Sequence, residues 1–127
     1  MTTKLDLLAT GYPSLDYICQ VSHTPAIGET AIVRTPPSHY TFGGCGANVA
    51  VGLARLGHRV GFVGKLGGDE HGRLLLEAFW KERIDTRGVI METERPTAVC
   101  FIAVDGRGAV SYTHLRAHET RHDLVCR

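Results

Sequence analysis

The sequence lacks most of the features that mark a special setting. Its net charge is only +1 at pH 7, which excludes the basic surface that nucleic-acid binding usually needs. Leu5 to Ala9 is too short an apolar run for a signal peptide or a membrane span. The expected partners therefore include no nucleic acid and no membrane, and the expected compartment is the cytoplasm. The cysteines, Cys19, Cys45, Cys100 and Cys126, are far apart and form no CxxC pair, so they read as reduced thiols. Asparagine occurs once, at Asn48. Glycine and proline are both missing from Ser111 to Arg127, although 15 glycines lie at or before Gly108.

What is present is ordinary in bulk. The 127 residues suffice for one domain, and 43% hydrophobic with 21% charged residues is the balance of a soluble globular protein. Lys4 to Ala9 reads as a buried first strand, and Asp16 follows beyond the turn signals Gly11 and Pro13. Thr30 to Arg34 reads as a strand broken by Pro36 and Pro37. Ala47 to Leu56 is apolar almost all round, as in a helix covered on most sides, and Gly57 is placed to end it. Arg59 to Gly64 then reads as a strand, completing the strand, turn, helix, strand order of a parallel sheet. Asp69 can cap a second helix to about Arg83, whose apolar face is Gly72, Leu75, Leu76, Phe79 and Trp80. Thr97 to Tyr112 reads as a β-hairpin turning at Asp105-Gly106.

The chemistry concentrates in Tyr40 to Gly57, where Gly43, Gly44 and Gly46 crowd a turn before Asn48. A dinucleotide fingerprint fits poorly, because Val49 stands where its third glycine belongs. A Walker A loop fails, because Gly64-Lys65 is followed by Leu66 and has no hydroxyl for magnesium. A polyhydroxyl ligand fits the residue types. The turn offers backbone N–H groups, Asn48 both donates and accepts, and Asp16 can accept two hydroxyl protons from an adjacent loop. A glycine turn with Asn48 as a plain helix cap, and no ligand, fits the residues equally well.

The stretch GGCGANVAVGLARLGHRVGFVGKLGGDEHG resembles the first signature of the pfkB-type, ribokinase-like carbohydrate kinases. Gly43, Gly44, Gly46, Asn48, Ala50, Gly57 and Gly67 stand at that family's spacing, and GYPSLDYI, IGET and PTAVCFIAVDGRG resemble it too. The resemblance covers about residues 4–110. It implies an α/β fold, the N-terminal part of a three-layer αβα ribokinase-like (Rossmann-like) sheet with a small β lid. The lid would come from Tyr17–Val21, Thr30–Arg34 and Thr97–Val110 and would also form a homodimer contact. It implies ATP-dependent phosphorylation of a sugar hydroxyl, with a small-molecule sugar as substrate. Asp16 would hold sugar hydroxyls, Gly43 and Gly44 would line the sugar with backbone, and Asn48 would bond it from the helix start. Ribokinases proper usually carry lysine where Cys45 stands, so the class stays open among sugars, sugar phosphates and nucleosides.

The family's general base lies in a Gly-Ala-Gly-Asp motif, and its magnesium motif is NxxE; neither occurs here. MgATP is thus implied for a longer parent, with no nucleotide-binding or catalytic residue in this chain. Residues 1–110 are expected to be the substrate-binding part with its lid strands, inactive alone; the non-enzymatic alternative is a stand-alone sugar-binding module. Residues 111–127 resemble translated sequencing-adapter read-through and are expected to be foreign and unstructured. HETRH, His118 to His122, satisfies the HExxH zinc pattern, with His114 one turn earlier. Only five residues follow His122. No second shell is identifiable, and no tight zinc site is expected.

Overall fold

The computed structural model describes residues 4–34 and 40–115. Chain order is β1 (Leu7–Thr10), β2 (Ser14–Gln20), β3 (Tyr40–Gly43), α1 (Cys45–Arg55), β4 (Val60–Gly67), α2 (Glu70–Lys81), β5 (Asp85–Glu92), β6 (Ala98–Val104) and β7 (Val110–Leu115). The strands make two sheets. The first has order β1-β4-β5 and is parallel throughout. The second has order β3-β2-β6-β7, with β2 parallel to β6 and both outer pairs antiparallel.

Helix α1 lies on the first sheet through Ala47 and Ala50, which are buried. Their small side chains allow a close approach to the strands. They share a core with Val60, Phe62, Phe79 and Ile84, so α2 packs beside α1 on the same sheet face. The rings of Phe62 and Phe79 are 4.8 Å apart. Helix α2 begins where expected: Asp69 is its N-cap and accepts from the Gly72 N–H at 2.8 Å. Gly72, Leu75 and Phe79 are its buried face, while Trp80 stays half-exposed with its indole N–H donating to Thr86. A second core of Leu15, Leu66 and Leu75 joins the two sheets to α2.

Several elements differ from the sequence reading. Strand β1 is not buried: Leu7 and Leu8 are exposed, and register puts Leu8 on one open face with Val63 and Ile90. Thr30 to Arg34 is no strand, because among the described residues its only sheet pairing is a single bridge from Val33 to Val21. Tyr40 to Gly43 is a strand, because β2 pairs along all four of its residues. The hairpin beyond Asp105 continues as β7 to Leu115, past the boundary expected at Ser111, since Ser111 registers with Ala103 and Leu115 with Val99. Strand β5 had no counterpart in the sequence reading.

Nor is α1 covered on most sides. Val49 is 56% exposed and Leu56 is 76% exposed, while Ala47 and Ala50 carry its packing. Among the described residues no helix is long and apolar enough to cross a membrane.

Candidate sugar site

The end of β1, the turn after it and the start of α1 pack backbone against backbone. Gly44 is the N-cap of α1 at φ 98, a left-handed conformation that glycine adopts at little cost. A side chain there would overlap the carbonyl oxygen of Tyr12, and one at Gly46 would overlap that of Thr10. The crowded glycines are thus first of all required by the chain's own Thr10–Tyr12 segment. Because Gly44 brings no side-chain oxygen, the first turn of α1 has no side-chain cap. Its leading N–H groups are the orphans that a helix start offers to an acceptor.

Asp16 stands on β2 beside this helix start. Its Oδ1 accepts from the Ser14 hydroxyl at 2.7 Å, a pairing made by two residues on the same strand face. Its carboxylate lies over Gly43, where an added Cβ would overlap Oδ2. On its other side, register sets Asp16 against Cys100 of β6. Cys100 is buried, and burial together with the negative charge of Asp16 pushes its thiol pKa up.

Asn48 is not the helix cap. It sits one turn into α1, with its backbone N–H donating to the Gly44 carbonyl at 2.9 Å. Its side chain is exposed, and among the described residues its amide has no hydrogen-bond partner. It lines a cavity of about 520 Å³ that runs between α1 and α2, past Thr41, Val51 and Phe79. Asp16 and Gly43 do not line that cavity, so it is not a pocket shared by all the candidate residues. What they share is the helix start. Gly43 carries the Asp16 carboxylate, Gly44 opens the helix, and Asn48 follows one turn later.

The second sheet is tied to α2 above the helix start. The Tyr17 hydroxyl pairs with His71 Nε2 at 3.1 Å, and its ring stacks on Phe101 at 5.4 Å. Thr97, just before β6, donates to Asp69 through both its N–H and its hydroxyl.

Ser14 and Cys100 were missed as neighbours of Asp16. The i, i+2 spacing on a strand signals Ser14, whereas Cys100 arrives only through pairing with a distant strand.

Neither nucleotide pattern weighed from the sequence is built among the described residues. Lys65, of the one Gly-Lys pair, lies in strand β4 and meets Glu92 at 3.7 Å. Val49, at the third-glycine position of the dinucleotide pattern, is exposed and so closes no helix–strand contact. Among the described residues no three His, Cys, Asp or Glu side chains are grouped to hold an ion. HETRH lies outside the described residues.

A family model described as pfkB family carbohydrate kinase matches residues 6–125. Fructokinase-1 of Oryza sativa subsp. japonica is 32% identical over 96 residues, which is 76% of this chain and 30% of the relative. The structure of ribokinase from Thermotoga maritima is 31% identical with a TM-score of 0.77, covering 88% of this chain and 36% of that one. Arabidopsis thaliana ribokinase complexed with ribose and ATP is 28% identical with a TM-score of 0.78, covering 89% and 36%. The chain spans between about a quarter and a third of the length of the curated relatives it matches.

Proposed function

The chain belongs to the pfkB family of carbohydrate kinases, and from that premise we propose that it forms the sugar-binding part of a kinase that phosphorylates a sugar hydroxyl. Its fold is the N-terminal part of the ribokinase-like α/β architecture, with β2, β3 and β6 contributing to the lid sheet. The observation that carries the reading is the Asp16 carboxylate lying over Gly43, the residue before the uncapped start of α1. A carboxylate that only accepts, an amide that does both, and free N–H groups together match a ligand whose every hydroxyl both donates and accepts.

In this reading Asp16 accepts protons from sugar hydroxyls. Gly43 and Gly44 present backbone, and the Asn48 amide bonds the sugar from the first turn of α1. The phosphoryl donor is MgATP, which would supply the transferred group and the charge-neutralising cation. No described residue fits either, so no step of the transfer is assigned to this chain. The lid sheet would close over the sugar and meet its counterpart in a homodimer. The site of action is the cytoplasm, which suits the exposed thiol of Cys45. Fructose and ribose are the first sugars to try, because relatives carry fructokinase and ribokinase names.

Residues 1–110 are assigned to this part. Ser111 onward is read as adapter-derived text, and a clean genomic read past Val110 checks it. Recovery of the same SYTHLRAHETRHDLVCR would contradict it.

The functional test is ADP release with MgATP and a panel of fructose, ribose, fructose 6-phosphate and adenosine. The 127-residue chain should give none above background, and the continuous reading frame from a clean genomic read should turn over one class. Turnover by the short chain, or none by the full frame with any member, would contradict the proposal.

A further inference from the structure

We infer that Ser14 and Gly43 are positioning residues that aim the Asp16 carboxylate at the ligand before the ligand arrives. The inference rests on the sugar-binding reading of Asp16 and adds how that group is held.

A carboxylate on a strand has several rotamers and two equivalent oxygens. Binding a neutral hydroxyl in a fixed direction requires one rotamer and one free oxygen. Here the choice is made by neighbours. Ser14 is 7% exposed, and its hydroxyl donates to Oδ1 at 2.7 Å. Hydroxyl-to-carboxylate bonds of this kind are among the stronger ones, because the acceptor is charged. One oxygen is thereby committed to the protein. The other, Oδ2, lies over the α-carbon of Gly43, in space that any side chain would fill. Register makes this meeting systematic. Ser14 is opposite Gly43, Asp16 is opposite Thr41, and on the far side Asp16 faces the buried Cys100. The carboxylate therefore leans toward β3 and lies over the residue that precedes the N-cap of α1. A hydroxyl arriving at the uncapped helix start meets Oδ2 and does not need to recruit Asp16 from solvent.

Gly43 thus has a role distinct from lending backbone to a sugar. Its φ is not in the left-handed region, so its missing side chain matters for space alone.

The test uses the 127-residue chain, with D-fructose as the probe and amide chemical shifts as the readout. Wild type should bind. Ser14→Ala should weaken D-fructose about tenfold, and Ser14→Thr, which keeps the hydroxyl, should restore affinity to within about twofold of wild type. Equal affinity of wild type and Ser14→Ala, or failure of Ser14→Thr to restore it, would overturn the inference. A second measurement needs no ligand. Gly43→Ala should lower Tm by roughly 5 °C, because it collides with Asp16. The same change in an Asp16→Ala background should lower Tm by about 1 °C or less, because the obstacle is gone. Equal losses in both backgrounds would overturn it. If wild type binds no D-fructose, the sugar reading fails for that sugar while the thermal cycle still decides whether Gly43 makes room for Asp16.

Discussion

Thr97 holds Asp69 at two points: its hydroxyl donates to Oδ1 at 2.6 Å and its N–H to Oδ2 at 2.8 Å. Asp69 meanwhile caps α2 through the Gly72 N–H at 2.8 Å. One carboxylate therefore fastens the start of α2 to the residue from which β6 leaves for the second sheet. Burial alone would raise the Asp69 pKa, but the bonds from Thr97 and Gly72 outweigh it and hold the carboxyl below its usual value. Asp69→Ala should destabilise the chain by about 3 kcal/mol, from the lost cap and the unpaired donors. Chemical denaturation measures the loss, and hydrogen exchange should show the amides of β6 opening earlier than those of β4. An unchanged midpoint would remove Asp69 from this role.

Acid should loosen the first sheet at its N-terminal edge. Asp6 accepts from the Arg59 guanidinium at 2.6 Å and 3.1 Å, and from the Arg59 backbone N–H at 2.9 Å. These bonds hold its pKa down to about 2, from 3.8. A carboxyl with a lowered folded pKa contributes stability that is present above 3.8 and is lost as pH falls through about 2. The pair is exposed, so salt screens it and the effect is small. Thermal melts between pH 5 and pH 2 should show a fall in wild type that is shallower in Asp6→Asn. Identical slopes would contradict the assignment.

Phe62 is 1% exposed and meets Phe79 at 4.8 Å beneath both helices. Phe62→Ala should cost about 3–5 kcal/mol, the range for emptying an aromatic site in a packed core. Phe62→Leu should cost distinctly less. The same denaturation experiment separates them, and a loss below about 1 kcal/mol for the alanine variant would show that the core is not packed as described.

Legibility followed the range of the interactions. Helix α2 could be read because its cap, Asp69, and its buried face, Gly72, Leu75 and Phe79, all lie within one local pattern. The hairpin at Asp105-Gly106 was legible for the same reason: the Asp105 carboxylate accepts from the Arg107 and Ala109 N–H groups within its own turn. Strand β3 was hidden because Tyr40 to Gly43 is short and runs into glycine, and only β2 makes it a strand. Thr30 to Arg34 has strand-like residues but, among the described residues, makes only an isolated bridge from Val33 to Val21 and no ladder. At the candidate site, Asp16 and Asn48 are proposed from the family resemblance and their residue chemistry. The hold that Ser14 and Gly43 exert on Asp16 was not read, because it depends on which oxygen points where. The demand for Gly44 by the Tyr12 carbonyl is likewise invisible until β1 and α1 are in place.

The most direct test of the account is titration of the isotope-labelled chain with D-fructose and D-ribose, alongside Asp16→Ala and Asn48→Ala. At least one sugar should shift the amides of Gly43, Gly44 and Asn48 in a saturable way. Each variant should weaken that binding by about tenfold or more, as expected for losing a bond in which a charged or buried partner is left unpaired. Both variants should keep the far-ultraviolet dichroism of wild type. Shifts absent from this helix start for both sugars, or unchanged affinity in both variants, would contradict the account.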